Sequence, residues 1–178
     1  MVCLPFVRFP YRTVLLDPPW NERGGGKYKR GADRHYPLMN RQDILATVVN
    51  NCLWTEIAPN AHMYLWVTNN FLPDGLWLMD ALGFKYKTNV CWTKDKKGLG
   101  QYFRGEHELM LFGTKGRRPT DPRTERKDIG SVIRAKRGKH SQKPEASYEL
   151  IEARSEGPYL EFFARSYRSG WAVTGNEL

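Results

Sequence analysis

Val14-Leu15-Leu16-Asp17-Pro18-Pro19-Trp20 joins an aliphatic run to an abrupt stop. Thr13 to Leu16 is β-branched and aliphatic, which reads as a buried strand of a parallel sheet. Two successive prolines end it, because neither has an N–H to give a neighbouring strand. Asp17 is thereby placed at the carboxyl end of a strand, where open α/β sheets hold their ligands. Asn21-Glu22-Arg23-Gly24-Gly25-Gly26-Lys27-Tyr28 follows, a polar, glycine-rich loop beside the acid.

These residue types suit transfer to an aromatic amine. A carboxylate at Asp17 can accept a hydrogen bond from an exocyclic NH2 and raise the electron density on that nitrogen. Pro18 brings a carbonyl that no strand ladder requires, able to accept the second amino hydrogen. Pro19 fixes the backbone, and Trp20 offers a flat face on which an extruded base can stack. A plainer reading of the same residues stays open: a strand stop followed by a core tryptophan.

With 178 residues and 40% hydrophobic content, the chain can bury one core, and a single domain over 1–178 is expected. A formal net charge of +9 favours a polyanionic partner over a neutral small molecule. Cys3, Cys52 and Cys91 are widely spaced and lack a Cys-x-x-Cys pair, so they read as ordinary thiols of a reducing compartment. No apolar run approaches membrane-spanning length and the N-terminus has no secretory layout. A protein of the cytoplasm, or of the nucleus in a eukaryote, is expected.

Further along, Asn40 can cap a helix from about Arg41 to Leu53, with Ile44, Leu45 and Val48 on one face. Ala61 to Thr68 reads as the next buried strand, and Pro73 opens a helix through Leu82 that Gly83 closes. Strand and helix alternating at this spacing imply right-handed parallel crossovers and a doubly wound sheet. Phe84 to Thr93 and His107 to Thr114 read as two strands joined by the loop Lys94 to Glu106. His107 and Glu108 suggest an acid/base pair, but adjacent strand residues point to opposite faces, so one of the two is expected to be structural.

Two stretches suit phosphate contact. The glycine-rich loop carries Lys27, Lys29, Arg30 and Arg34; His35 there reads as a surface or phosphate-facing residue rather than a base. Lys115 to Lys139 holds ten basic residues against three acidic ones, among them Arg117, Arg118, Arg134, Lys136 and Arg137. A charge run is usually a solvated surface, but this one lies between a strand and a ligand-type motif, which favours nucleic acid.

Asp17-Pro18-Pro19-Trp20 resembles the signature of the amino-methyltransferases that act on adenine, and specifically of the MT-A-seventy family. Tyr36-Pro37-Leu38-Met39 and Leu65-Trp66-Val67-Thr68 resemble further family segments, and Gly100 to Glu108, with Tyr102 and Arg104, resembles an element near the target base. The closing blocks keep the family order: Gln142-Lys143-Pro144, a helix, Glu161-Phe162-Phe163-Ala164-Arg165, then Trp171 to Gly175-Asn176-Glu177. The resemblance implies a Rossmann-like class I methyltransferase fold, α/β and mostly parallel with an antiparallel edge pair. It also implies circular permutation, with the catalytic strand first and the S-adenosylmethionine strand last. Strands are expected at Tyr159 to Arg165 and at Trp171 to Glu177, the former beside the strand of Asp17. The cofactor set implied is Asp17, Lys143, Glu161, Arg165, Asn176 and Glu177, with Lys143 toward the methionyl carboxylate and Asn176 and Glu177 toward ribose. Relatives often carry Gln in place of Glu177, and His-Asn where this chain has Ser166-Tyr167-Arg168.

The expected chemistry is direct displacement at the sulfonium methyl by the adenine amine, with Asp17, Pro18, Pro19 and Trp20 as the catalytic set and no metal required. DNA is favoured over RNA because the chain is small and shows no accessory RNA-binding domain. A homo- or hetero-dimer is compatible with this reading. The competing readings are a catalytically silent nucleic-acid-binding subunit, an RNA adenine methyltransferase, and methylation of a cytosine amine or a small molecule.

Overall fold

The computed structural model describes residues 10–22, 38–98, 100, 102–117, 126, 128–138 and 142–175. The run before Asp17 is β1, Tyr11–Leu16, in which Val14, Leu15 and Leu16 are all essentially inaccessible. A strand buried on both faces must have neighbours on both sides and helices above and below, and β1 has all of these.

Asn40 caps α1, Arg41–Val49, its side-chain oxygen accepting from the backbone of Gln42 and Asp43. The helix stops short of the expected Leu53 because Asn51 caps a separate 3-10 turn, Cys52–Glu56, by accepting from Leu53 N–H. β2 is Ile57–Val67, α2 is Leu72–Ala81, and Gly83 closes α2 with a φ of 80° that a side chain would strain. β3, Lys85–Thr93, and β4, His107–Lys115, form the expected antiparallel pair. A strand that charge had hidden follows: β5, Val132–Arg134. Then come α3, Glu145–Arg154, β6, Tyr159–Phe162, and β7, Trp171–Thr174.

These strands form one sheet in the order β5-β3-β4-β2-β1-β6-β7. Only β4 runs against its neighbours; β1 is parallel to β2 and β6, β6 to β7, and β3 to β5. The mixed, mostly parallel α/β sheet is Rossmann-like, as expected. The antiparallel pair is not at the edge, however. β5 takes the outer side of β3, and buried Ile133 pays for an otherwise basic, exposed segment. Two further expectations are corrected at the C-terminal end. β6 stops at Phe162 instead of reaching Arg165, because Phe163 adopts a φ of 64° that leaves the ladder. β7 stops at Thr174, short of Glu177.

Successive residues of β1 feed separate cores. Val14 and Leu16 pack with Ile44 and Val48 of α1 and Leu78 and Met79 of α2. Leu15 faces the other way, with Tyr64, Trp66, Met110, Ile151 of α3 and Trp171. Each large side chain so buried contributes about 1.5–3 kcal/mol. Just past α3, Ser155 Oγ lies 2.7 Å from both His62 Nδ1 and Tyr64 OH, which ties the far end of the helix to β2.

Cys52, exposed on its 3-10 turn, is disulfide-bonded, whereas Cys91 on β3 is a free thiol. The expectation of three ordinary thiols is corrected at Cys52, and with it the argument for a reducing compartment. Among the described residues no helix is long and apolar enough to cross a membrane.

Candidate active site

β1 pairs with β2 on one side, through the α1 crossover, and with β6 on the other, so the two halves of the sheet diverge beside Asp17. That divergence opens a crevice at the carboxyl ends of the strands. Asp17 extends the β1–β6 ladder, its N–H donating to Phe162 carbonyl at 3.3 Å. By the alternation of a strand its side chain lies on the Leu15 face, the side of α3.

There it meets Lys143, which stands just ahead of α3. Lys143 Nζ donates to Asp17 Oδ1 at 2.7 Å and lies 3.6 Å from Glu108 Oε2. Lys94 holds the other oxygen of Glu108. Arg165 Nη2 stands 3.9 Å from Asp17 Oδ2, outside hydrogen-bond range. On the neighbouring strand Glu161, 5% exposed, receives Tyr148 OH at 3.0 Å. The site is thus a row of carboxylates along three strands, with cations laid between them.

Burial and pairing set the protonation states. Burial drives the Glu161 carboxyl up to about 7, helped by repulsion from Asp17 and opposed by the Tyr148 hydrogen bond. Burial also pushes Glu108 up, but Lys143 and Lys94 outweigh it and hold that carboxyl below its ordinary value. Lys143 shows the mirror case: burial would discharge it, yet Asp17 and Glu108 raise it above the usual lysine value. Tyr148 is pushed well above the ordinary phenol by burial and by the charge of Glu161, so it serves as a hydrogen-bond donor. Arg168 buttresses this side, its guanidinium 4.5 Å from the Tyr148 ring centre and bonded to Glu145 and Glu152.

The expected catalytic set divides. Asp17 faces the crevice, but Trp20 does not offer a stacking face. It is 6% exposed, stacks on Phe71 at 5.6 Å, and donates Nε1–H to the Trp66 carbonyl at 2.8 Å. The turn through Pro18 and Pro19 carries the chain from the α3 face to the opposite core, where Trp20 anchors it. Pro18 carbonyl is not idle either, since Trp20 N–H donates to it at 2.9 Å, leaving one lone pair. Pro19 carbonyl accepts from Met39 N–H at 2.8 Å, which returns the chain to the same spot.

Of the expected cofactor residues, the structure brings together Asp17, Lys143, Glu161 and Arg165; Asn176 and Glu177 lie outside the described residues. Of the expected nucleic-acid contacts, Lys27, Lys29, Arg30, Arg34 and Arg118 lie outside them, as does His35. Arg134, Lys136 and Arg137 are exposed where β5 ends, at the same edge of the sheet as Asp17. Tyr102 and Arg104 are exposed in the β3–β4 connection, which leaves from that edge. Arg117 is not brought to the site. It follows β4, which runs the other way, and its N–H donates to Asn60 Oδ1 at the opposite end of the sheet.

Sequence reasoning weighed Glu108 beside His107 without choosing between them, and missed Lys94, Tyr148 and Trp66. Trp66 lies under Lys143, its ring centre 5.4 Å from Nζ. Trp66 Nε1 and Thr68 Oγ1, at the site end of β2, are buried without a hydrogen-bond partner among the described residues. Such orphaned groups carry a cost that a polar ligand removes. Carboxylates for hydroxyls or an ammonium, cations for a carboxylate, and an unused indole donor fit S-adenosylmethionine.

A charged crevice where the crossovers of a mostly parallel α/β sheet diverge is the ligand site of a Rossmann-like fold. The family model described as MT-A70 matches residues 11–177, and the chain belongs to that methyltransferase family. It is also similar to the Type II methyltransferase M.MunI of Mycoplasma sp., 26% identical over 190 residues that cover 96% of this chain and 79% of the relative.

Proposed function

We propose that this protein transfers a methyl group from S-adenosylmethionine to the exocyclic 6-amino group of adenine in nucleic acid, with DNA favoured over RNA. The observation that carries this reading is the meeting of Asp17, from the first strand, with Lys143, Glu161 and Arg165 at one edge of the sheet. A catalytic strand that precedes the cofactor strand supports a circularly permuted class I methyltransferase, formed as one domain over 1–178. When bound, S-adenosylmethionine supplies a methyl group on a positively charged sulfur.

The chain's own residues supply position and field. Lys143 and Arg165 would hold the methionyl carboxylate, and ionised Glu161 would accept from hydroxyls or the ammonium. Lys143 occupies one oxygen of Asp17, which leaves Oδ2 to accept a hydrogen from the adenine amine, with the remaining lone pair of Pro18 carbonyl for the second. Both acceptors keep the nitrogen lone pair free and aimed at the methyl carbon. The amine need not be deprotonated beforehand, because its proton can leave once it carries the methyl group. Fixed dipoles and charges that need no rearrangement lower the barrier. Basic side chains on the same rim, Arg104, Arg134, Lys136 and Arg137, suit a phosphate backbone.

Incubation with S-adenosylmethionine labelled at the methyl carbon and matched DNA and RNA oligonucleotides, followed by nucleoside analysis, tests the reading. Label in N6-methyladenine from DNA is expected. Label in a methylated cytosine would overturn the substrate, and cofactor binding without transfer would favour a silent subunit.

A further inference from the structure

The connection between β3 and β4 is a built projection. The pairing continues past both strands, with Lys94 N–H donating to Glu106 carbonyl at 2.8 Å and Gly98 N–H to Gly105 carbonyl at 2.7 Å. Gly100 turns so tightly that a Cβ there would meet Phe103 carbonyl oxygen at 2.0 Å. Tyr102 holds a φ of 57°, an unfavourable conformation for an aromatic residue. This backbone puts forward two exposed rings: Tyr102 is 102% exposed and Phe103 86%.

Their surroundings are cationic. Lys96, Lys97 and Arg104 are exposed in the same connection, and Arg137 is joined to it through Asp95, which accepts from its N–H at 3.0 Å. At its base Lys94 bonds Glu108, which lies 3.6 Å from Lys143, itself bonded to Asp17. Two ion pairs and one further contact therefore link the projection to the acid. An apolar tip ringed by positive charge does not suit a hydrophobic protein partner. It suits a polyanion whose interior is a stack of aromatic rings.

We propose that Tyr102 and Phe103 form a wedge that enters the base stack of duplex DNA beside the target adenine and fills the space left when that base turns out. The proposal rests on the adenine-methylating reading above and adds to it how the base is held outside the duplex. Lys96, Lys97, Arg104 and Arg137 hold the flanking phosphates, and the rings replace the stacking that the strand gives up.

The test uses the full chain and duplexes built around the methylated site once it has been mapped on genomic DNA. The double variant Tyr102→Ala/Phe103→Ala is compared with wild type on a duplex with the target adenine paired, and on one with an abasic site opposite it. A loss of kcat/KM of at least 30-fold on the paired duplex, shrinking to within 3-fold on the unpaired one, is expected. Tyr102→Trp/Phe103→Trp should retain the wild-type ratio. An equal loss on both duplexes would make the tip a plain contact and overturn the wedge, as would no loss, or a change in oligomeric state with the ratio unmoved. A wild-type protein that methylates no duplex would instead overturn the proposed function, and the wedge with it.

Discussion

Lys143 Nζ and Asp17 Oδ1 lie 2.7 Å apart, although 126 positions separate the residues in the chain. The pair is nearly buried, and Glu108 stands behind it as a second carboxylate. Asp17 therefore cannot be removed without disturbing the cofactor side. Asp17→Asn is the informative change, since it keeps an oxygen for Lys143 while weakening the pull on the amine. We expect kcat to fall by roughly 10²–10⁴-fold with the Kd for S-adenosylmethionine changed by less than about 5-fold. Lys143→Met, by contrast, takes from nearly buried Asp17 its hydrogen-bonded cation while Lys94 still holds Glu108, and should cost about 3–5 kcal/mol in denaturant unfolding. Unaltered turnover in Asp17→Asn would remove the acid from the chemistry.

Glu161 sets a pH dependence of opposite sign for binding and for stability. The ionised form accepts hydrogen bonds from a ligand's hydroxyls or ammonium more strongly than the neutral one, so cofactor affinity should strengthen as pH rises through about 7. Tyr148→Phe deletes a hydrogen bond that favours the charge, and should move that midpoint upward. For stability, the folded value lies above the ordinary 4.5, so the contribution is complete below 4.5 and disappears as pH rises through about 7. Glu161→Gln escapes this loss, which is on the order of 3 kcal/mol at most. At pH 8.5 the variant should melt at a higher temperature than wild type and bind cofactor less tightly. Calorimetry and titration at a series of pH values check both, and parallel wild-type and variant stability curves would contradict the assignment.

Trp20 should behave as an anchor. Trp20→Phe keeps a ring against Phe71 but leaves the Trp66 carbonyl without its donor, at a cost of about 1–3 kcal/mol. The midpoint in urea should fall, with turnover reduced through a less constrained Asp17 and KM for nucleic acid nearly unchanged. A large rise in that KM would restore a stacking role.

The rim charges can be separated by salt. Arg134→Ala, Lys136→Ala and Arg137→Ala should each lower the slope of log K against log salt by about one, if each neutralises one phosphate. Arg117→Ala, at the opposite end of the sheet, should leave the slope unchanged. Equal effects from all four would mean that a diffuse field, and not a face, binds the polymer.

The sequence made the outline of the crevice readable because its parts are local. A proline pair must stop a strand wherever it occurs, and the motif blocks of Asp17, Lys143, Glu161 and Arg165 mark positions that the sheet then brings together. Glu108 was harder. β4 is buried on both faces, with Leu109 and Leu111 in one direction and Met110 and Phe112 in the other, so no alternation reveals which side faces the site. β5 was hidden for the opposite reason: three residues in a stretch dominated by arginine and lysine are too few to show a period. Trp20 illustrates a third limit. The residues that cover it, Phe71 and the Trp66 backbone, are distant in sequence, and nothing local tells a sheltered indole from an offered one.

α3 is fastened at two points of different character. Behind it, Ser155 is locked to His62 and Tyr64 in a buried hydrogen-bonded clasp; ahead of it, Lys143 hangs between carboxylates that a ligand would share. Deuterium uptake along this one helix should therefore be lopsided, slowing at the leading turn when the crevice fills and holding steady at the trailing one. A single rod of ten residues would report occupancy at one tip and fold integrity at the other.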